Sequence, residues 1–229
     1  MSIFAVSDLH LSGVNPKPMD IFGQKWQNHW DKIKNAWQNS VKKDDTVLIP
    51  GDISWAMSLK DAMYDINDIS KMPGKKIFLR GNHDYWWASP AKLKRTLPEN
   101  IDIIQNNNIE LDDYYICGTR GWILPGDERF KTEDEKIYKR EIIRLKLSFS
   151  SIPANPAKAV IVMMHFPPVN EKREASEFID IMKEHKTSIC VYGHLHNANR
   201  ETVVEGLYEG IRFHLVSCDY LDFKLKKIV

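Results

Sequence analysis

Phe78-Leu79-Arg80-Gly81-Asn82-His83-Asp84 is the stretch that decides the fold. Residues 76–79 form a short run with β-branched and aromatic members that stops at Gly81, the pattern of a buried strand. An amide, an imidazole and a carboxylate then follow in consecutive positions. Open α/β sheets place their ligands at such strand ends. The arrangement recurs four more times. Asp8-Leu9-His10 follows the apolar residues 3–6, Gly51-Asp52 follows 47–49, His165 follows 160–164, and Gly193-His194-Leu195-His196 follows 189–192. Five strand ends thus deliver Asp, Asn or His to what can be a single place.

Helical patterns lie between these strands. Trp26, Trp30, Ile33 and Trp37 recur at helical spacing and predict an amphipathic helix over 23–41, with the tryptophan stripe packed into the core. Leu59, Ala62, Met63, Ile66 and Ile69 predict a second helix over 58–71. The resulting β-α-β-α-β alternation specifies a layered α/β fold with helices over a sheet. Ser89-Pro90 opens a short helix, proline being favoured in the first turn. Strands are expected over 101–104 and 114–117, and a charged, mostly exposed helix over 132–149. A helix over 174–184 and a strand over 188–192 follow. Antiparallel strands over 201–204 and 211–217 complete the chain. No internal repeat, low-complexity tract or long linker interrupts it, so residues 1–229 are read as one domain.

Composition narrows the function classes. The chain is 43% hydrophobic and 28% charged, which suits a globular protein with a substantial core. Its 32 Lys plus Arg balance 31 Asp plus Glu, so charge does not indicate a nucleic-acid partner. No apolar run approaches the roughly 20 residues of a membrane span, and no signal peptide or anchor is expected. Cys117, Cys190 and Cys218 follow no paired metal spacing and sit in or beside apolar runs. An odd number of buried thiols points to a reducing compartment, and the expected location is the cytoplasm.

Asp8, His10, Asp52, Asn82, His165, His194 and His196 make up the candidate site. Oxygen and nitrogen donors in this mixture suit transition metals, Mn, Fe or Zn above all, better than calcium. Seven ligands exceed the needs of one ion with an open position and suit two ions sharing a carboxylate. Two metals roughly 3.5–4 Å apart activate a water held between them and clamp an in-line displacement at phosphorus. Arg120, in Gly118-Thr119-Arg120-Gly121, is a candidate phosphate fork. His29, His185 and His214 are read as packing residues. Trp86 and Trp87 are read as core, the alternative being an apolar wall beside the metals.

The set Asp-x-His, Gly-Asp, Gly-Asn-His-Asp, His and Gly-His-x-His, in this order from residue 8 to residue 196, resembles the calcineurin-like metallophosphoesterase superfamily. The resemblance implies two mixed β-sheets packed as a sandwich and flanked by helices, with a dinuclear centre at the strand ends. It implies that Asp8, His10 and His196 hold one metal, that Asn82, His165 and His194 hold the other, and that Asp52 bridges them. His83 matches the family's outer histidine, which approaches the phosphate and protonates the leaving oxygen. Asp84 is expected to orient His83 through a hydrogen bond. One departure is Trp55, which stands where many members carry a second carboxylate after the Asp of Gly-Asp. The implied activity is hydrolysis of a small, soluble phosphate mono- or diester by a hydroxide between the metals. Two alternatives are a protein phosphatase, which Arg80-Gly81-Asn82-His83 resembles but Asp84 does not, and a non-catalytic scaffold of the same fold.

Overall fold

Strands that are apolar on both faces must be covered on both faces. In the computed structural model, which describes residues 1–150, 152–153, 157–199 and 203–229, the chain meets that need with two sheets and two helical layers. It begins with β1 (Ile3–Ala5), α1 (His29–Ser40), β2 (Thr46–Pro50), α2 (Leu59–Ser70) and β3 (Lys75–Leu79). It continues through α3 (Pro90–Thr96), β4 (Ile101–Ile104), β5 (Ile109–Glu110), β6 (Tyr114–Thr119), α4 (Thr132–Phe149) and β7 (Ala159–Met164). The last elements are α5 (Glu177–Glu184), β8 (Thr187–Tyr192), β9 (Gly206–Tyr208), β10 (Ile211–Leu215) and β11 (Lys226–Lys227).

One sheet has the order β11-β1-β2-β3-β4 and the other β5-β6-β7-β8-β10-β9. Each is parallel in its interior and carries antiparallel strands at its margins, β11 in the first and β5 and β9 in the second. The two-residue period of the strands sorts their side chains into layers. Ile3, Ala5, Leu48, Ile77, Ile161, Met163 and Val191 meet between the sheets. Their neighbours Phe4, Val47, Ile49 and Phe78 face outward among Ile33, Trp37, Ile66 and Ile69 of α1 and α2. Val160, Val162 and Met164 face the other way, among Ile142, Leu145, Phe178 and Met182 of α4 and α5. The fold is therefore the expected two-sheet sandwich.

Several local expectations are corrected. The helix over 23–41 is broken: α1 starts only at His29, and Trp26 belongs to a separate 3₁₀ turn, Gln24–Trp26. Asn28, at φ 53°, separates the two. Trp26 is consequently free to reach the strand ends. The helix over 132–149 is less exposed than its charge suggests, because Tyr138, Glu141, Ile142, Leu145 and Phe149 form a buried face. Val203 and Val204 precede β9 and belong to no strand, while Glu201 and Thr202 of that expected strand lie outside the described residues. The two-residue strands β5 and β11 are too short to leave a periodic signal.

The sheets are joined where their strands end. Ser7 and Ser217 form a parallel bridge across them. The Ser7 N–H donates to the Val216 carbonyl at 2.7 Å, and the Cys218 N–H donates to the Ser7 carbonyl at 3.0 Å. This seam brings the carboxyl ends of β1, β2 and β3 against those of β7, β8 and β10. No helix among the described residues is long and apolar enough to cross a membrane.

Candidate metal centre

Side chains that leave separate strands and turn at once toward one point need unusual backbone geometry. Asp8, His10, Asp52 and His194 have φ of 59°, 46°, 52° and 72°. The left-handed region is costly for non-glycine residues, and such outliers cluster at functional sites. The motif glycines answer a different need, which is close approach. A Cβ on Gly81 would lie 2.1 Å from Asp52 Oδ1, and one on Gly193 would lie 2.6 Å from Asp8 Oδ2. Glycine precedes Asn82 and His194 because a carboxylate occupies the space of its side chain.

All seven candidate ligands meet. His10 Nε2 lies 3.2 Å from His196 Nε2, and His196 Nε2 lies 3.8 Å from Asp8 Oδ1. On the other side, His165 Nε2 is 2.7 Å from Asn82 Oδ1, which is 3.1 Å from His194 Nδ1. Asp52 Oδ2 sits between the groups, 3.7 Å from His10 Nε2 and 3.4 Å from His165 Nε2. Asp8, His10 and His196 are near enough together to hold one ion, and so are Asp8, Asp52 and His165.

Hydrogen bonding fits these residues to cations. His165 Nδ1 faces the Pro50 carbonyl at 2.9 Å and must carry the proton there. His196 Nδ1 faces Asp219 Oδ1 at 3.0 Å and is likewise the protonated nitrogen. In their neutral rings the Nε2 atoms are therefore bare lone pairs. These Nε2 atoms face carboxylate oxygens and one another, so each contact needs either a second proton on the ring or a metal ion between the two atoms. The charges show the same field. Burial alone would raise Asp52, yet His165 and His10 hold it well below the usual carboxylate range. Burial opposes charge on His165 too, but Asp52 beside it pushes that imidazole up to about 9. Burial dominates at His10 and His194 and pulls both down to about 3, so they offer neutral nitrogen donors.

Asp84 does not reach the His83 ring. Its Oδ2 accepts from the N–H groups of Gly81 at 2.7 Å and Asp52 at 3.0 Å. Its Oδ1 accepts from Ile53 N at 2.9 Å, Ser54 N at 3.2 Å and the Trp86 indole at 3.0 Å. The expected hydrogen bond to His83 is replaced by a grip on the loop that carries Asp52. His83 contributes its backbone N–H, which donates to Asp52 Oδ1 at 2.8 Å, while its ring packs 4.5 Å from that of Trp55.

Sequence reading missed Asp219. This carboxylate holds His196 Nδ1, accepts from the Asn197 N–H at 2.9 Å, and pairs with Lys25 at 3.0 Å. Burial works against its charge, but those donors hold it at about 2. A signal was present, since Cys218-Asp219 follows the end of β10 as the other acidic residues follow theirs. Loss of a ligand's hydrogen-bond partner typically costs about 10–100-fold in metal affinity or activity. Asp219→Asn is expected to weaken metal binding within that range in a Mn²⁺ titration; unchanged affinity would remove Asp219 from the centre.

Arg120 lies apart from the seven ligands. Its guanidinium pairs with the buried Glu141 at 3.3 Å, packs over the Trp122 ring at 4.5 Å and lines a small cavity with Arg80 and Arg144. Its carbonyl accepts from the N–H groups of His165 and Phe166, so it supports the His165 turn through its backbone. Trp86 and Trp87 are buried in the core on the first sheet's outer face. His29 bonds the Leu9 carbonyl, His185 stacks on Phe149, and His214 pairs with Glu205.

Comparison with known proteins agrees with this geometry. A family model described as calcineurin-like phosphoesterase matches residues 1–198. The gene 66 protein of Mycobacterium phage L5 is 37% identical over 78 residues, which are 34% of this chain and 37% of that protein. Two solved structures share the fold. One, a protein of unknown function from Aquifex aeolicus, aligns at TM-score 0.52 and 17% identity, over 99% of this chain and 95% of that one. The other, from Thermus thermophilus, aligns at TM-score 0.54 and 11% identity, over 98% and 96%.

Proposed function

The chain belongs to the calcineurin-like phosphoesterase family, and from that membership we propose that it hydrolyses a small, soluble phosphate mono- or diester at a centre of two transition-metal ions. The observation that carries the proposal is the convergence of nitrogen and oxygen ligand atoms from both sheets on Asp52. Asp8, His10 and His196 would hold one ion, and Asn82, His165 and His194 the other, with Asp52 between them. Mn, Fe or Zn suits these donors. When bound, such a pair lowers the pKa of a held water and offsets charge on phosphoryl oxygens.

The chain's own groups do the positioning. Pro50 and Asp219 fix the tautomers of His165 and His196, so that both present Nε2 inward. The His83 backbone fixes Asp52. Burial keeps the His83 imidazole below the usual histidine range, with Asp52 pulling the other way. A ring N–H of His83 is a hydrogen-bond donor for the departing oxygen. Arg120, committed to Glu141, shapes the neighbouring turn in this reading and leaves the phosphate to the metals and His83. Cys117, Cys190 and Cys218 are free and buried, which supports a cytoplasmic location.

The test is turnover of 4-nitrophenyl phosphate and bis(4-nitrophenyl) phosphate side by side, with Mn²⁺ and with a chelator. Hydrolysis of at least one ester is expected, and the chelator should abolish it. Activity that survives the chelator would overturn the metal mechanism. Failure to bind any metal would favour the scaffold alternative.

A further inference from the structure

The seven candidate ligands follow β1, β2, β3, β7 and β8, yet β4 and β6 run parallel to their neighbours and end on the same rim. Open α/β sheets place ligands at such ends, and here the rim holds a second opening. Leu79, Ile104 and Thr119, the last residues of β3, β4 and β6, line a cavity of about 40 Å³ that none of the seven ligands borders. Its polar side chains include Arg80, Gln105, Arg120, Glu141 and Arg144. Three guanidinium groups thus share the space with one carboxylate, an excess of two positive charges.

The carboxylate is already taken. Glu141 Oε1 accepts from Arg120 at 3.3 Å and from Arg144 at 2.8 Å, and its Oε2 accepts from the Thr119 hydroxyl at 2.7 Å. Arg80 is left over: among the described residues its guanidinium donates no hydrogen bond and pairs with no acid. Its Nε is enclosed, and its two terminal nitrogens are the atoms that stay accessible. Burial, with Arg80, Arg144 and Arg140 nearby, holds the Arg120 guanidinium below its usual range, while Glu141 works the other way. Gln105 adds a neutral donor, since the Trp87 indole donates to its Oε1 at 2.6 Å and leaves its NH₂ uncommitted. The cavity is therefore rich in donors and short of negative charge.

We propose that this cavity is a site for a dianionic oxyanion of the phosphate class, separate from the metal centre. The terminal nitrogens of Arg80 hold the ion, and Arg120, Arg144 and the Gln105 NH₂ complete its surroundings. Guanidinium forks fit the oxygens of carboxylates and phosphates alike, so charge decides between the two. A phosphoryl group carries about −1.5 to −2 at pH 7 and offsets the whole excess, whereas one carboxylate offsets half of it. As for size, a single water needs about 10–15 Å³, so the cavity takes about three waters, roughly the space of an oxyanion's inner oxygens. The rest of the ion lies toward the mouth beside the exposed Asn106. A free ion and a phosphoryl group carried on a larger molecule share this chemistry.

The test is the thermal midpoint of the full chain in chelator, which keeps phosphate off the metals, with phosphate, acetate or chloride at one ionic strength. Phosphate should raise the parent's midpoint above its value in chloride, and acetate should raise it less. Arg80→Gln should match or exceed the parent in chloride, because it loses no bond and removes one of three like charges. In phosphate the variant should fall below the parent. Its phosphate affinity should drop by about 10-fold or more, the worth of one hydrogen bond to a charged group. Equilibrium dialysis of labelled phosphate reads that drop directly. Repeated on the Mn²⁺-loaded proteins, it should still find less phosphate on the variant, which keeps the test valid if the metal-free chain melts poorly. A phosphate midpoint no higher than the chloride one would overturn the site, and so would a rise that Arg80→Gln shares in full, the general effect of phosphate on protein surfaces. A variant destabilised equally in both salts would make Arg80 a packing residue. Acetate matching phosphate would sink the dianion. Phenyl phosphate binding as tightly as free phosphate would assign the site to a phosphoryl group on a larger molecule, and weaker binding would assign it to the free ion. With the metals removed, failure here and failure of the hydrolysis test are independent results.

Discussion

Asp52→Asn is expected to lower turnover of any substrate ester by at least about 10³-fold, beyond the ~10–100-fold typical of losing an outer partner of a ligand. The asparagine has nearly the shape of the aspartate and keeps an oxygen for the His83 N–H, now 2.8 Å from Asp52 Oδ1. What disappears is the charge at Oδ2, the atom within 4 Å of both His10 Nε2 and His165 Nε2. Asp52 and Asp8 are also two carboxylates buried close together, so neutralising one removes a repulsion as well as an attraction. The variant should therefore stay folded, with a thermal midpoint within several degrees of the parent's, while its content of bound metal falls. Turnover, metal analysis and a thermal melt on the same preparation check all three. Wild-type turnover in a variant that keeps both metals would sink the bridging role.

Much of this site could be read from the sequence because its ligands follow strands, and buried strands announce themselves. Residues 76–79 and 160–164 are apolar runs with abrupt ends, so Asn82 and His165 stand out as polar residues at a boundary. The two-sheet fold came from resemblance, since β-α-β alternation alone does not say how many sheets form. Two of the missed features depend on contacts remote in sequence, and the third on a backbone break. Asp219 meets His196 across 23 residues; its place after a strand end marks a polar boundary residue but not the partner of His196. Trp26 looks like one more member of a helical stripe, and only the break at Asn28 turns it toward His196. Glu141 reads as a solvated helix residue, yet it is buried between Thr119, Arg120 and Arg144. Charge in a helical pattern predicts exposure only when no partner from another element comes to meet it.

Asp84→Asn separates two accounts of the central motif. If Asp84 served to orient His83, the amide would reduce turnover and leave stability alone, as His83→Asn should. The contacts predict the opposite order of effects. Asp84 is fully buried, and its two oxygens share five N–H donors, two on Oδ2 and three on Oδ1. An amide must point its NH₂ at one of those sets, leaving at least two buried donors facing another donor. Each orphaned buried donor costs about 1–3 kcal/mol, so two of them give an expected loss of at least about 2 kcal/mol. That is a large share of the ~5–15 kcal/mol that holds a typical domain together. The donors at risk include Asp52, Ile53 and Ser54, so the loop that aims the Asp52 carboxylate should loosen and metal affinity should fall with stability. Urea denaturation of metal-free Asp84→Asn and His83→Asn, each against the parent, reads the first effect, and a Mn²⁺ titration reads the second. A parental urea midpoint for Asp84→Asn together with reduced turnover would return Asp84 to His83. A lowered midpoint for Asp84→Asn alone, with weaker metal binding, would establish that the carboxylate closing Gly-Asn-His-Asp builds the centre by holding backbone, while the histidine before it is left free to act on substrate.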